Sequence, residues 1–274
     1  MLKSYFFVPA NNKKFINKSN TLKVDFIIFD LEDAILNSEV ESSLDNLFKV
    51  IIQDNYFVRF GFFDEFVELN EVLFSQLLSC GFRKFVIPKF YSNDQLVRVK
   101  NFLLEKRLNL NELEFILLIE SPLGLLNIAE TLQNKTLRVS AIGLGSHDYA
   151  SEMRMKHTNY NLYYARQIIL NTAKAYKIDA LDTVCVNISN DSEFIHETKQ
   201  SFDMGFDGKF LIHPKQMELL EEIEFYSLEE IHEAEKVYDK ILEIKNQKNS
   251  ILKIDGKIYE KPHINRIISI INWK

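Results

Sequence analysis

The charged residues with the clearest chemical potential in this chain follow directly on short apolar runs. Asp30-Leu31-Glu32-Asp33 places three carboxylates in four positions behind Phe26–Phe29. Glu120 follows Phe115–Ile119, and Asp148 follows Val139–Gly143 through Leu144-Gly145-Ser146-His147. Arg59 lies inside Phe57–Phe60, Lys89 follows Phe85–Ile87 and Pro88, and His213 follows Phe210–Ile212. Carboxylates are ligands for hard divalent cations, which favours Mg²⁺ or Mn²⁺ at such a cluster. A guanidinium among them can grip a substrate carboxylate with two parallel hydrogen bonds. Zinc is not suggested, because the six histidines form neither HxxxH nor HExxH and the two cysteines, Cys80 and Cys185, form no CxxC.

Each of these residues also has a purely structural use. A carboxylate behind a strand often caps the next helix, and for Asp30, Glu32 and Asp33 capping and chemistry stand level. Ser121-Pro122 can start the helix after the fifth run, which leaves Glu120 free. The glycines before Asp148 allow backbone to approach a ligand closely. Lys89 stays open between pairing and binding. His213, next to Pro214, is expected to hydrogen-bond within its own loop, and Cys185 to be a buried strand residue.

The elements that must position these groups recur along the chain. Eight β-rich runs are expected at Tyr5–Val8, Phe26–Phe29, Phe57–Phe60, Phe85–Ile87, Phe115–Ile119, Val139–Gly143, Thr183–Val186 and Phe210–Ile212. Helix-compatible segments separate most of them, including Gln95–Lys106, Tyr160–Tyr176 and Phe194–Met204. The runs are continuous rather than alternating, as in a parallel sheet covered on both faces. The expected fold is a TIM-type (β/α)₈ barrel, α/β in class, whose strand C-termini gather the polar groups at one rim. A doubly wound open sheet is the alternative, but no GxGxxG or GKS/T loop supports it.

After His213-Pro214 the character changes, and we divide the chain into a barrel at 1–225 and an extension at 226–274. Leu228–Gln247 is expected as a charged amphipathic helix, Asn249–Glu260 as a hairpin or arm turning at Asp255-Gly256, and His263–Trp273 as a last helix. Such a tail suits a lid or an oligomerisation element. At 274 residues and 46% hydrophobic content the chain can bury one barrel-sized core. A net charge of −6 and a pI near 5.6 make a poor general nucleic-acid binder, since phosphate contacts need a basic stripe, and leave room for a local basic pocket for an anionic substrate. No apolar run resembles a signal peptide or a membrane span, and the unpaired cysteines fit a reducing, cytoplasmic setting.

At these positions the chain resembles the HpcH/HpaI aldolase/citrate lyase (citrate lyase β-subunit) family, from Ser4 to about Pro262. The resemblance is carried by Ser4-Tyr5-Phe6-Phe7-Val8-Pro9, Asp25 to Ala34, Val58-Arg59, Pro88-Lys89, Ile119 to Gly124, Ala141 to Gly145 with Asp148, Ala165-Arg166, Asp182-Thr183-Val184 and Gly205 to Gln216. It implies a barrel that makes or breaks a carbon–carbon bond by Claisen-type chemistry. The substrate would be a hydroxyacyl-CoA such as citryl-, malyl- or citramalyl-CoA, giving an acyl-CoA and a 2-oxo acid. The family's metal ligands fall on Glu120 and Asp148, holding Mg²⁺ with Mn²⁺ as substitute. Its carboxylate-binding arginine falls on Arg59, and its outer carboxylates fall on Glu32 and Asp33, with Asp33 and Arg59 also counted as catalytic. Lys89, Pro122 and Gly145 are expected to help bind substrate. A catalytic acid on a neighbouring subunit's arm falls on Glu260, which implies a homo-oligomer, trimeric or hexameric.

The sequence departs from the family pattern at Lys3, Ala10, Gly61, Val40 and Leu44. The last two replace basic groups that contact substrate and CoA phosphates in relatives. These changes keep two further readings open: a CoA-independent lyase or aldolase of the same fold, and a non-catalytic subunit that kept the barrel.

Overall fold

A computed structural model describes residues 2–33, 35–64, 67–244 and 252–273. It divides into two compact units, one spanning Leu2–Glu221 and one formed by the described residues from Glu222 onward.

The first unit is a closed barrel of eight parallel strands in sequence order, with β1 pairing β8 to close the ring. The strands are β1 (Lys3–Pro9), β2 (Phe26–Leu31), β3 (Tyr56–Phe60), β4 (Lys84–Phe90), β5 (Glu114–Ile119), β6 (Val139–Leu144), β7 (Asp179–Asp182) and β8 (Gly208–Leu211). Helices α1 (Lys13–Lys18), α2 (Val40–Leu47), α3 (Glu71–Ser79), α4 (Asn93–Glu105), α5 (Pro122–Asn134), α6 (Ser146–Glu152), α7 (Asn159–Tyr176), α8 (Asp191–Met204) and α9 (Pro214–Glu222) lie between or after them. The expected fold class is what the structure shows.

Successive side chains on a strand point to opposite faces, and this period of two decides what enters the barrel. Tyr5, Ile28, Phe57, Ile116, Leu118 and Phe210 form an inner cluster of buried side chains. Two residues further along their strands, on the same face, come Phe7, Asp30, Arg59 and Glu120. The interior is therefore apolar in its middle layer and turns polar at the strand C-termini, while at the N-terminal ends Lys3 pairs with Asp179 and Lys84 with Glu114. Side chains of the other parity, such as Phe29, Phe60 and Phe115, are buried as well, which explains why the strands do not alternate in sequence.

One strand differs from expectation. The β-branched run Thr183–Val186 was expected as the seventh strand, but the ladder forms just before it. Ala141, Ile142 and Gly143 pair with Asp179, Ala180 and Leu181, and Asp182 pairs with Lys209. The acidic residues Asp179 and Asp182 hide a strand whose charges are neutralised, by Lys3 in one case and Arg166 in the other. Cys185 is buried as expected, but outside a strand.

The second unit contains α10 (Leu228–Ile244), a hairpin of β9 (Leu252–Ile254) and β10 (Lys257–Tyr259), and α11 (Lys261–Trp273). The hairpin turns at Asp255-Gly256, where φ is +47° and +80°, the left-handed pair that a tight two-residue turn requires. Ala234, Val237, Tyr259, Ile267 and Ile270 form its small core. Residues 245–247 of the expected helix and 249–251 of the expected arm lie outside the described residues. Among the described residues no helix is long and apolar enough to cross a membrane.

Candidate active site

The polar ends of the strands surround a cavity of about 370 Å³. Its walls include Asp30, Asp33, Arg59, Glu120, Gly145 and Asp148, so six charged or glycine positions picked from the sequence do converge.

Arg59 is the centre of the charge network. Asp30 and Arg59 are register partners on β2 and β3. The guanidinium donates from Nε to Asp30 Oδ1 at 2.8 Å and from NH2 to Asp30 Oδ2 at 2.7 Å. NH1 donates to Asp33 Oδ2 at 3.0 Å and lies 3.5 Å from Glu32 Oε2. The ring of Phe7 packs on its face, 4.7 Å from centroid to Cζ. Burial works against the charge of Arg59, but its bonds to Asp30 and the nearby carboxylates outweigh this and raise its pKa further. The level choice between capping and chemistry for Asp30 resolves into a third role, as the anchor that orients Arg59. Asp30 Oδ1 also accepts from the Glu32 N–H at 3.1 Å.

Glu120 is buried, with 4% of its surface exposed. Its carboxylate accepts from the backbone N–H of Lys89 at 3.0 Å. That N–H is free because β4 is irregular: pairing with β5 shifts between Ile87 and Phe90, and Lys89 has φ +49°. Pro88 explains the irregularity, since proline has no N–H for a ladder and occurs in strands mainly at edges and bulges. The bulge re-aims one amide at the site. Glycine is required at 145 for a different reason. A Cβ there would lie 2.4 Å from Glu120 Cγ and 2.9 Å from its Oε1. Burial, followed by the charges of Glu32, Asp148 and Asp33 acting against Arg59, pushes the Glu120 pKa up to about 8.

Lys89 Nζ donates to Glu32 Oε1 at 2.6 Å. Its pKa is raised, because the bond to Glu32 and the charges of Glu32, Asp33 and Glu120 overcome the effect of burial. The other oxygen of Glu32, Oε2, is buried and accepts no hydrogen bond, although it lies within ion-pair distance of Arg59. Burial comes first among the causes that raise the Glu32 pKa. Lys89 faces a second cleft beside the first, lined also by Tyr91, Ser121, Leu123, Glu120 and Asp148.

Pro122 opens α5 at its first position, and Ser121 caps the helix by accepting from the Gly124 N–H at 3.0 Å. Its neighbours Ser121 and Leu123, rather than Pro122 itself, line the second cleft. His213 behaves as the sequence suggests, accepting from the Lys215 N–H at 3.2 Å. Glu260 belongs to the second compact unit, where it is exposed and its backbone N–H donates to His263 Nδ1 at 3.1 Å.

The sequence reading missed several side chains here. Phe7, Leu118, Leu144, Val184, Val186 and Ile212 make up an apolar wall. Continuing the inward period from Tyr5 and Phe210 would have found Phe7 and Ile212. His147 also lines the cavity and stacks on His157, with ring centroids 3.9 Å apart, and His157 Nε2 hydrogen-bonds Ser146 Oγ at 2.9 Å. Nothing in the spacing of those histidines marks the pair.

The donor set fits a hard cation. Five carboxylates (Asp30, Glu32, Asp33, Glu120 and Asp148) meet two cations, Arg59 and Lys89, around the site. One buried carboxylate oxygen lacks a hydrogen bond, and burial together with neighbouring carboxylates pushes the Glu120 pKa up to about 8. A divalent ion between Glu120 and Asp148 would offset that surplus. Among the described residues no three His, Cys, Asp or Glu side chains form a full ligand set. Water and substrate oxygens would complete the shell, as is usual for Mg²⁺.

The sequence model of the HpcH/HpaI aldolase/citrate lyase family matches residues 3–214. The chain belongs to that family. It is an enzyme of the lyase class. Among curated relatives it is 27% identical over 275 residues to the citrate lyase subunit beta of Leuconostoc mesenteroides subsp. cremoris, covering 96% of this chain and 90% of that one. It is likewise 27% identical over 269 residues to a (3S)-malyl-CoA thioesterase of Cereibacter sphaeroides, with the same coverage. The solved structure of CitE from Mycobacterium tuberculosis in complex with magnesium, acetoacetate and coenzyme A superposes with a TM-score of 0.83 at 18% identity. That match covers 99% of this chain and 97% of the other, and it supports the fold.

Proposed function

We propose that this protein is a Mg²⁺-dependent carbon–carbon lyase acting on a hydroxyacyl-CoA of the citryl-, malyl- or citramalyl-CoA kind, giving an acyl-CoA and a 2-oxo acid. The observation that carries the reading is the surplus of carboxylates around a single guanidinium at the barrel rim, with Glu120 buried and pushed up to about 8. The relatives named above, a citrate lyase subunit and a malyl-CoA thioesterase, support it, as does the magnesium and coenzyme A complex of the structural neighbour.

In cleavage, the bond between the hydroxyl-bearing carbon and the acyl α-carbon breaks. The hydroxyl loses its proton and becomes the carbonyl of the oxo acid, while the bond's electron pair passes to the acyl-CoA enolate, which is then protonated on carbon. Mg²⁺ held by Glu120 and Asp148, with Mn²⁺ as a substitute, would supply Lewis acidity to the oxo acid's carboxylate and carbonyl. Arg59 receives the substrate carboxylate with the N–H groups it does not give to Asp30 and Asp33. Glu32 and Asp33 orient Arg59 and Lys89 and order water beside them. Gly145 keeps the Glu120 carboxylate in place, and Lys89, with the start of α5 at Pro122, borders the acyl-thioester side. Glu260, on the 226–274 extension of a neighbouring copy in a trimer or hexamer, moves the proton at the acyl carbon.

A CoA-independent lyase is the second reading. Leu44 is buried and Val40 half-buried on α2, where relatives carry basic groups, so that helix offers no cation at either position.

Calorimetric titration with Mg²⁺ and a 2-oxo acid, with and without acetyl-CoA, separates the two. Metal-dependent oxo-acid binding that acetyl-CoA tightens supports the thioester lyase, and binding indifferent to acetyl-CoA supports the second reading. Glu120→Ala and Asp148→Ala should each abolish Mg²⁺ binding and turnover while leaving a folded barrel. Full activity in both would remove the metal assignment.

A further inference from the structure

We infer that Lys209 and Gln216, neither of which lines the cavity, are positioning residues that hold the loop after β7 so that its two valines form one side of the substrate site. Only the probe used below, a 2-oxo acid bound with Mg²⁺, rests on the lyase reading above, which gives these two side chains no part.

The ladder between β7 and β8 is short. Its register pairs are Leu181 with Gly208 and Asp182 with Lys209. Residues 183–187 then run on outside any strand. Val184 and Val186 of this segment nevertheless line the cavity, as do Phe210 and Ile212 across the seam. Buried backbone that leaves a ladder needs other partners for its polar groups. Two side chains supply them here. Lys209 Nζ donates to the Thr183 carbonyl at 2.9 Å, and Gln216 Nε2 donates to the Cys185 carbonyl at 2.7 Å. All four residues are buried. Each carbonyl belongs to the planar peptide unit that leads into a lining valine, so each bond fixes the plane from which that valine projects.

A helix cap alone does not account for Gln216. It is the third residue of α9, and its Oε1 accepts from the Ile212 and His213 N–H groups at 2.9 and 3.3 Å, as in a capping box. Gln95, the third residue of α4, offers the comparison. Its Oε1 accepts from the Tyr91 N–H at 2.8 Å, but its Nε2 reaches only its own loop, at the Lys89 carbonyl and 3.4 Å. The Gln216 Nε2 instead crosses to a loop 31 residues earlier in the chain. One side chain thereby joins the loops after β7 and β8. Lys209 caps no helix. Its neighbour Phe210 points into the barrel, so Lys209 lies on the outer face of β8 and reaches the loop from behind the cavity.

The test uses the full chain as wild type, Gln216→Met and Lys209→Met, each variant cutting one tie with a side chain of similar length. Mg²⁺ is titrated calorimetrically, followed by glyoxylate, pyruvate and oxaloacetate at saturating Mg²⁺, and thermal unfolding checks that each protein is folded. Both variants are expected to keep Mg²⁺ affinity within about twofold of wild type and to bind the oxo acid that wild type holds most tightly about tenfold more weakly. A lower unfolding temperature with unchanged oxo-acid affinity in both would make the two residues structural only; it would overturn the inference and leave the lyase reading standing. Weakening in only one of two folded variants would show that the ties do not act through one loop, and overturns it as well. Should one variant fail to fold, the other decides alone. Absence of Mg²⁺-dependent oxo-acid binding by the wild type would remove the lyase reading and the inference with it.

Discussion

Two arginines in this barrel hold a strand-end aspartate in the same way, yet their surroundings differ in every other respect. Arg59 grips Asp30 through Nε and NH2 at 2.8 and 2.7 Å, and Arg166 on α7 grips Asp182 through Nε and NH2 at 3.0 and 2.6 Å. The second pair is sealed between strand and helix, with side chains 2% and 1% exposed. Ser201 donates to Asp182, the Arg166 NH1 donates to Gln200, and fully buried Lys209 adds a positive charge nearby. Although burial opposes ionisation, Lys209 and Arg166 hold the Asp182 pKa below its ordinary value. The first pair opens onto a cavity and is outnumbered by carboxylates, so Glu120 is pushed the opposite way. The same bidentate unit thus serves as a fastener where the cations match or outnumber the carboxylates. Where they do not, the imbalance is a binding potential stored in the fold, and active sites are where such mismatches gather.

The comparison can be broken most directly at the sealed pair. Arg166→Leu removes both hydrogen bonds that the buried Asp182 carboxylate accepts from the guanidinium, and should cost about 3–5 kcal/mol of unfolding free energy in urea titration. A loss under about 1 kcal/mol would mean the pair is not a fastener at all.

The next effect is a difference of sign with pH in metal-free protein. The folded pKa of Glu120 lies above its ordinary value of 4.5, so between about 4.5 and about 8 the native state binds more protons than the unfolded chain. Stability should fall as pH rises through that window. Asp182 is depressed, so its contribution is present above the ordinary value of 3.8 and is lost as pH falls through the lower, folded pKa. Unfolding curves in chelator should therefore decline towards pH 8 in the wild type and flatten in Glu120→Gln. Asp182→Asn should remove part of the acid-side loss instead. Identical curves for the wild type and Glu120→Gln would contradict the assignment.

A smaller effect sharpens the open side. Gly145 has φ −80°, so alanine brings no backbone strain, and its Cβ acts only by pushing on Glu120. Gly145→Ala should weaken Mg²⁺ binding about 10–100-fold by calorimetry while leaving the chain folded. Unaltered affinity would show that Glu120 can shift freely, and with it that the carboxylate is not held for a metal.

Much of this arrangement was legible in the sequence, for a reason particular to closed barrels. Charges directly behind apolar runs reach one rim whatever the details of packing, so Arg59, Glu120 and Asp148 could be placed together from Phe57–Phe60, Phe115–Ile119 and Val139–Gly143 alone. The apolar half of the cavity was not legible, because Val184 and Val186 look the same whether they pair in a sheet or line a mouth. The seventh strand was displaced for the same reason, its own residues being masked by Asp179 and Asp182. That Asp30 would bind Arg59 through both oxygens depends on a cross-strand register no single sequence displays.

The bulge at Pro88-Lys89 has one more consequence. Among the amides of β4 the Lys89 N–H ends on a side-chain carboxylate, and that carboxylate is the group whose charge is in question. Its proton resonance and its exchange with solvent will follow the charge state of Glu120 and any ion that Glu120 holds. The barrel thus carries its own spectroscopic indicator, one backbone amide whose signal reads out the site before any substrate is added.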